Sequence, residues 1–383
     1  MGNSFIPLSV PNLSGNELKY VTKAIEDEWV STGGSFIDDF ENGIAEYVKS
    51  TGAVACQSGT AGLHLSLVIN GVGAGDEVIV PALTFIAAVN PVKYVHAEPV
   101  FMDCDDSLCM DMDKLAEFCE NCCAFEDGKL INKSSGRHIK AMVVVHIFGN
   151  MADMEKAVDI AEKYNLVLIE DATEALGTYA KDGRFAGRFA GTIGKMGVYS
   201  FNGNKIMTTG GGGMIVSNSE EILKQAKYLS TQAKDDPLYY VHNSVGYNYR
   251  MTNLQAALGL AQLEQLEGFI DVKEKNYNLY KQCGIDLIDF RADIRSNYWF
   301  YSYKTNRRDE LIKYLHGESI QTRPIWNLIC QLEPYKDCET YKIEKAQKYW
   351  ESIVNVPCST NATEEEVIRV AEAIREFEQN KGY

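Results

Sequence analysis

A single lysine, Lys205, lies in the segment GVYSFNGNKIMTTGGGGMI (197–215), between a short apolar run and four consecutive glycines. A lysine amine becomes a nucleophile when burial or a nearby cation lowers its pKa, and it then forms Schiff bases with carbonyl compounds. A lysine on an exposed loop is commoner, but here the order strand, turn, lysine, glycines, strand holds the amine between packed strands. Glycines in such number suit a backbone that turns sharply or approaches another group closely. The segment therefore predicts a reactive amine beside a ligand.

A second candidate group ends the apolar run of NLVLIEDATEALG (165–177), where Glu170 and Asp171 follow one another. A carboxylate at the end of a buried strand costs desolvation free energy unless it meets a cation. A metal ion, an arginine or a protonated ring nitrogen would serve as that partner. The structural alternative is that the carboxylate caps the helix that follows.

The third candidate is SGTAG (58–62), which joins a predicted strand to a predicted helix through small residues. The amides of Gly59, Thr60 and Ala61 would there hold a phosphate at the start of the helix. The alternative is an ordinary strand-to-helix turn with Thr60 as the N-cap. The pattern GxxxxGK[ST] is absent, so the segment is not a P-loop.

These three features together match the needs of one cofactor, pyridoxal 5′-phosphate (PLP). Its phosphate requires an anchor, its pyridine nitrogen a carboxylate, and its aldehyde an amine. The glycines after Lys205 would let the chain pass close to the cofactor, which explains their number.

The elements that must position these groups follow a regular order over the first 220 or so residues. Short apolar runs alternate with amphipathic stretches, and a helix such as EKAVDIAEKY separates two of the runs. Continuous Val/Ile runs separated by helices indicate strands that are buried on both faces of a mostly parallel sheet. In such α/β sheets ligands collect at the carboxyl ends of the strands. The runs that we read as strands are GAVACQS, EVIVP, EPVFMDC, KAMVVVHIFG, NLVLIEDA, GVYSF and GGMIVS.

The pattern changes near residue 235, and we predict two domains, a large one over 1–240 and a smaller C-terminal α/β domain over 241–383. The segment 251–283 has helical apolar spacing over an unusual length, which predicts one long helix that links domains or lines a subunit interface. An aromatic segment that is predicted to form a strand (NYWFYSYKT) and a final amphipathic helix complete the smaller domain.

The composition and charge of the chain exclude several classes of function. The formal net charge of −16 repels phosphate backbones, so nucleic acid is excluded as a partner. Neither a signal peptide nor an apolar run of membrane-spanning length is present, which predicts a cytoplasmic protein without membrane contact. The ten cysteines are read as reduced thiols, and because CENCC (119–123) has no second Cys/His pair at zinc spacing, no metal site is expected.

Six stretches of the chain resemble, in order, the DegT/DnrJ/StrS family of fold-type I, PLP-dependent sugar aminotransferases. The resemblance extends from LSVPNLSGNELKYV near the start to the RPIW segment. The stretches that carry it are SGTAGLHLSL, VPALTFIAAVNPV, VHIFGNMADM, IEDATEALG, SFNGNKIMTTGGGGM and GYNYRMTNLQAALGLAQLEQL.

The resemblance implies a role for each matching residue. Lys205 would be the Schiff-base lysine and proton shuttle, and Asp171 the partner of the pyridine nitrogen. Phe85 would stack on the cofactor ring. Gly59, Thr60 and Ser200 would hold its phosphate, joined by Asn248 from a neighbouring subunit, so that a homodimer shares two active sites. Glu174 stands beside the cofactor's 3-hydroxyl, where many members carry Gln.

Within the family the nearest resemblance is to the LegC-like branch, through LSVPNLSGNELKYV, WVSTGGSFIDDFE and IQTRPIWNLI. It implies amination of C4 in a nucleotide-linked 4-keto-6-deoxy-N-acetylhexosamine (2-acetamido-4-keto-2,4,6-trideoxyhexose) with L-glutamate as donor, on a route to nonulosonic acids such as legionaminic acid. Many relatives carry His where this chain has Cys330. The residues implied at the sugar site are Ser31, Thr32, Gly33, His146, Arg250 and Trp326.

Several alternatives stay open at this point. Trp326 and His146 are equally readable as core residues, the histidine as a packed, hydrogen-bonded one. The acceptor could instead be a 3-keto sugar, or the precursor of perosamine. A non-catalytic protein that binds PLP or a nucleotide sugar is a more distant alternative, against which the retention of Lys205 and Asp171 argues. An NAD-dependent sugar epimerase would need GxGxxG after the first strand, and this is absent.

Overall fold

The computed structural model describes residues 4–379, in which helices and strands alternate as the sequence predicts. The strands are β1 Gly52–Cys56, β2 Asp76–Pro81, β3 Glu98–Met102, β4 Cys123–Glu126, β5 Lys129–Asn132, β6 His138–Val145, β7 Val167–Asp171, β8 Tyr179–Ala180, β9 Met196–Ser200, β10 Gly213–Ser217, β11 Ile294–Arg295, β12 Tyr301–Lys304, β13 Arg323–Pro324, β14 Thr340–Tyr341 and β15 Ile353–Val356. The helices are α1 Glu17–Glu26, α2 Ser35–Val48, α3 Gly59–Ile69, α4 Asn90–Tyr94, α5 Met112–Cys122, α6 Met154–Tyr164, α7 Glu220–Ser230, α8 Asn253–Leu263, α9 Leu266–Gln282, α10 Arg308–Gly317, α11 Lys345–Ser352 and α12 Glu364–Gln379.

The central sheet has the strand order β1-β10-β9-β7-β6-β2-β3-β14, with the hairpin β4–β5 attached to β6. Every pair from β9 to β14 is parallel, and β10 runs antiparallel to both of its neighbours. The central strands are buried on both faces, as their continuous apolar runs require. The predicted α/β fold with a largely parallel sheet is thereby confirmed.

The reversed strand β10 explains one of the four glycines. A Cβ atom on Gly213 would lie 2.5 Å from the carbonyl carbon of Ser58 and 2.6 Å from the amide nitrogen of Gly59, closer than any side chain allows. Glycine therefore lets β10 pass directly against the start of α3. Gly210 also has a positive φ of +76°, where the chain turns between Lys205 and β10.

The C-terminal part of the chain builds a small antiparallel sheet in the order β12-β15-β13. Two features join this part to the rest of the chain, because β14 adds a parallel strand beside β3 of the central sheet and Ile6 of the N-terminal segment bridges to Ile320. The division at residue 240 stays a prediction.

The structure divides the helix that was predicted over 251–283 into α8 and α9. The amide of Gln265 bonds to the carbonyl of Gln262 at 3.1 Å, one residue nearer than the α-helical acceptor. The side-chain amide of Gln265 meanwhile reaches the carbonyl of Ala261 at 3.3 Å, and so takes the acceptor that a continuous helix would use. The prediction of one uninterrupted helix was wrong for this physical reason. At its other end, α8 begins with a capping box formed by Thr252 and Gln255.

Candidate active site

A cavity of about 670 Å³ lies where the carboxyl ends of the central strands meet the small sheet. β1, β7 and β9 all end at this edge, which is where an α/β sheet binds ligands. The cavity brings together eight of the residues predicted from the sequence: Gly59, Thr60, Phe85, Asp171, Glu174, Ser200, Lys205 and Trp326.

The anion cradle at the start of α3 is built as the sequence predicts, with one difference. The N-cap is Ser58, whose hydroxyl accepts the amide of Ala61 at 3.1 Å, so neither Thr60 as cap nor the Ala61 amide as phosphate donor is observed. The amides of Gly59 and Thr60 have no acceptor within the helix, since they belong to its first turn. A Cβ on Gly59 would lie 3.1 Å from Cβ of Ser200, so glycine is what lets the helix start approach β9 this closely. Two amides and a hydroxyl are thus available to one oxyanion.

Lys205 is almost enclosed at the base of the cavity. Its Nζ atom lies 3.8 Å from Oε1 of Glu174 and 4.2 Å from the centroid of the Trp299 ring. Burial lowers the pKa of the Lys205 amine, while the charges of Glu174 and Asp171 oppose that shift. An amine with a lowered pKa is unprotonated more often near neutral pH, as a nucleophile and proton carrier must be.

Asp171 ends β7 with its side chain in the cavity. Its carboxylate accepts the amide of Thr173 at 3.1 Å in a local turn, and no helix follows for it to cap. Burial raises the pKa of Asp171, against the bonds from Thr173 and the charge of Lys205. A buried carboxyl in this state is stabilised as an anion when a protonated ring nitrogen binds beside it.

Glu174 is a second buried carboxyl in the same cavity. Its Oε2 atom accepts the amide of Phe148 at 2.9 Å, which leaves Oε1 toward Lys205. Burial raises the pKa of Glu174 to about 7, while Lys205 opposes the shift. Near neutral pH this carboxyl can therefore either hold or release a proton.

Two aromatic side chains form part of the cavity wall. The rings of Phe85 and Trp326 have centroids 6.2 Å apart, and Trp326 also packs on Phe148 at 4.8 Å. Phe85 is 51% exposed, so its ring is free to cover a flat ligand. Trp326 fits both interpretations given above, a core residue and a residue of the substrate site, because it packs on its neighbours and also lines the cavity.

His146 does not line the cavity. It is fully buried, its Nε2 atom lies 2.9 Å from Oε2 of Glu170, and its Nδ1 atom accepts the amide of Ala152 at 3.2 Å. Because both ring nitrogens are engaged by the protein, this environment fits the alternative of a hydrogen-bonded core histidine.

The other five predicted residues also lie away from the cavity of their own chain. Asn248 is exposed and bridges to Thr231, while Arg250 bridges to Cys56. The carbonyl of Ser31 accepts the amide of Asn253 at 2.6 Å, which places the loop Ser31–Thr32–Gly33 beside the start of α8. Nε of Arg250 is buried and has no hydrogen-bond partner among residues 4–379.

Trp299 and Arg323 are among the cavity residues that sequence reasoning missed. Trp299 belongs to the aromatic segment NYWFYSYKT and Arg323 to the segment RPIW, but nothing in those two segments indicates that the residues face Lys205. Both come from the C-terminal part, which reaches the cavity only through the packing of the small sheet.

These residues fit PLP, on the evidence of the open amides at α3, the buried carboxyl of Asp171 and the enclosed amine of Lys205. When bound, the cofactor supplies a carbonyl and a ring that withdraws electrons. The chain would supply the phosphate anchor at the start of α3, the carboxylate of Asp171 and the amine of Lys205.

Comparisons with known proteins agree with this chemistry. The chain is 36% identical to GDP-perosamine synthase of Escherichia coli O157:H7, over 98% of this chain and 100% of the relative. It is 26% identical to UDP-4-amino-4,6-dideoxy-N-acetyl-β-L-altrosamine transaminase of Campylobacter jejuni, over 92% of each chain. The crystal structure of an aminotransferase from Brucella abortus superposes with a TM-score of 0.86 at 25% identity and covers 94% of this chain and 95% of the other.

The model of the DegT/DnrJ/EryC1/StrS aminotransferase family matches residues 11–375. Enzymes of this family are sugar aminotransferases that use PLP, and the predicted family, cofactor and enzyme class are confirmed. The chain belongs to the DegT/DnrJ/EryC1/StrS aminotransferase family.

Proposed function

We propose that the protein transfers the amino group of L-glutamate to C4 of a nucleotide-linked 4-keto-6-deoxy sugar. The products are 2-oxoglutarate and the 4-amino sugar, so the amino group and the ketone oxygen exchange places. The observation that carries the proposal is the cavity that places the enclosed Lys205 amine beside the buried carboxyls of Asp171 and Glu174, next to an open helix start.

The roles of the side chains follow from their environments. Lys205, with its lowered pKa, takes a proton from the donor carbon and returns one to the acceptor carbon. Asp171 holds a positive charge at the ring nitrogen of the cofactor. The amides of Gly59 and Thr60 and the hydroxyl of Ser200 fix the phosphate, so that the reacting atoms stay beside the lysine.

Two sugars are candidates for the amino acceptor. The sequence segments near Ser31 and Trp326 resemble the LegC-like branch and favour the 2-acetamido-4-keto-2,4,6-trideoxyhexose, a precursor of nonulosonic acids. The second candidate is the acceptor for perosamine, a 4-amino-4,6-dideoxyhexose, and the 36% identity to a perosamine synthase over the whole chain favours it. Both candidates place the new amine at C4.

The test offers each keto sugar separately to the purified protein with PLP and L-glutamate, and detects the amino sugar by mass spectrometry. L-glutamate alone should first convert the bound cofactor from the pyridoxal to the pyridoxamine form in the absorption spectrum. Lys205→Ala should fail in both assays. A protein that binds PLP through Lys205 but does not respond to glutamate would contradict the donor, or the enzymatic role altogether.

We also propose that the enzyme is a homodimer with shared active sites and that it works in the cytoplasm. Apart from the buried His146, the predicted site residues that lie outside their own chain's cavity occupy two segments, 31–33 and 248–250. The carbonyl of Ser31 accepts the amide of Asn253, which follows the second segment closely. Large apolar side chains are exposed near these segments, including Trp29, Tyr239 and Val245. Residues 4–379 contain no helix with the length and apolar character needed to cross a membrane.

Complementation tests the sharing. Lys205→Ala and Asn248→Ala are each expected to be inactive alone, because each lacks one part of every site. Mixed dimers of the two variants contain one complete site and should recover activity. No recovery in dimers shown by light scattering to have mixed would exclude a shared site.

A further inference from the structure

The cavity contains one cation besides the catalytic lysine. Among its lining residues, Asp171 and Glu174 are acidic and only Lys205 and Arg323 are basic. Lys205 is enclosed and lies beside Glu174. Arg323 is exposed, and within the described part of the chain its guanidinium has no hydrogen bond or ion pair.

The backbone of Arg323 is held in place although its side chain is free. Arg323 lies on β13, opposite Asn355 of β15 in an antiparallel pair. Gln321, two residues earlier, accepts the amide of Leu8 at 3.0 Å, which ties the N-terminal segment to the same wall. Trp326, three residues later, adds an apolar surface. The strand therefore fixes where the arginine side chain begins, beside an aromatic side chain, and leaves the guanidinium free to meet a ligand.

Both proposed substrates require such a cation. L-glutamate carries two carboxylates and the sugar nucleotide a diphosphate, and both must enter a protein with a net charge of −16. The planar fork of a guanidinium bonds a carboxylate or a phosphate through two parallel N–H donors. Lys205 cannot serve, because its amine is committed to the chemistry.

We propose that Arg323 binds the oxyanion of a substrate, the diphosphate of the nucleotide sugar or a carboxylate of the amino donor, and thereby orients the reacting carbon toward Lys205. This inference rests on the proposed function, and it names a binding residue of that site. Since one cavity receives the two substrates in turn, each source of the oxyanion can be examined alone.

The experiment compares wild type with Arg323→Gln and Arg323→Lys, all loaded with PLP. One arm measures the Kd for UDP and for GDP by calorimetry. The other follows the spectral change with L-glutamate and gives KM and the maximal rate of the first half-reaction. The control is Arg184→Gln, which removes an exposed arginine that pairs with Asp159, outside the cavity.

Arg323→Gln should weaken one of the two ligands by at least about tenfold, the order of a lost charge-assisted hydrogen bond. The thermal midpoint and the absorption spectrum of the PLP form should change little, because Arg323 touches neither the lysine nor its partners. Arg323→Lys should recover part of the affinity, because it keeps the charge but not the fork. The ligand whose binding is weakened identifies the oxyanion that Arg323 holds. Arg184→Gln should change neither the affinity for the nucleotides nor the reaction with L-glutamate.

Values within twofold of wild type in both arms would overturn the inference and leave the proposed function intact. A wild type that aminates no keto sugar would overturn the proposed function instead. The calorimetric arm then decides the inference alone: diphosphate binding that Arg323→Gln abolishes supports it, and binding that is unchanged or absent in wild type overturns it.

Discussion

The Nζ atom of Lys205 lies 4.2 Å from the centroid of the Trp299 indole ring, while the indole N–H donates to the carbonyl of Asn204 at 2.8 Å. One side chain thus supports the reactive amine and also holds the residue just before it. Behind Trp299, its own carbonyl accepts a hydrogen bond from Nζ of the buried Lys273 at 2.9 Å. The position of the amine is therefore set from the C-terminal part of the chain.

The indole face should stabilise the protonated form of Lys205. Trp299→Leu removes this cation–π contact and keeps the site apolar, so the pKa of Lys205 should fall further, by about one unit for a contact of about 1 to 2 kcal/mol. The pH dependence of Lys205 acylation in the cofactor-free protein, followed by peptide mass spectrometry, measures this pKa. Trp299→Phe keeps a ring and should shift it less. Identical midpoints in all three proteins would show that the ring has no electrostatic role.

Asp171 should be needed for catalysis and not for folding. Asp171→Asn keeps the acceptor for the amide of Thr173 but cannot carry the charge opposite a protonated ring nitrogen. We expect transamination to fall by about a hundredfold or more. The cofactor-free protein should be as stable as wild type at pH 7 in urea unfolding, because a buried carboxyl is replaced by a neutral group of the same shape. Equal loss of activity and stability would instead identify a structural residue.

The cradle, the carboxylate and the lysine were predictable because each one ends or begins a strand or helix with a clear apolar pattern. Parallel strands bring such ends to one edge, so the sequence alone places Gly59, Asp171, Ser200 and Lys205 together. Their contacts with the C-terminal part were not predictable. Trp299 and Arg323 reach the cavity through the packing of the small sheet, which no local pattern encodes.

Glu170 and Asp171 show a second limit of what the sequence pattern can predict. Neighbouring residues in a strand point to opposite faces, so the sequence predicts different environments for the two carboxylates. The strand pattern alone does not indicate which of them faces the cavity, and it was the family resemblance that selected Asp171. The structure directs Asp171 into the cavity and Glu170 into a buried network with His146.

Glu170 should be structural. Its carboxylate accepts the amides of Gly191 at 2.8 Å and Ile193 at 2.7 Å, in addition to its contact with His146. Glu170→Gln would turn an amide group toward one of these donors and leave it unpaired. We expect the free energy of unfolding to fall by about 2 to 4 kcal/mol in urea titrations, while the folded enzyme keeps its kcat. Asp171→Asn, on the next residue of the strand, is the matched control with the opposite pattern, and a Glu170→Gln enzyme that is stable but inactive would contradict the assignment.

Glu174 should make the stability of the cofactor-free protein depend on pH. Its pKa is raised to about 7 in the folded protein from 4.5, so between these values the folded state holds a proton that the unfolded chain has lost. Stability from this group is complete below about pH 4.5 and is lost as pH rises through about 7, by up to about 3 kcal/mol.

Glu174→Gln removes this titration, so the variant should gain stability relative to wild type as pH rises from about 5 to 7.5 in urea unfolding. Glu126→Gln, an exposed site on β4, is the control and should follow wild type throughout. In a Lys205→Ala background the gain should persist and extend to higher pH, because loss of the opposing lysine charge, 3.8 Å away in wild type, moves the Glu174 titration further up. A stability difference between Glu174→Gln and wild type that does not change with pH would show that folding does not raise the pKa of this carboxyl.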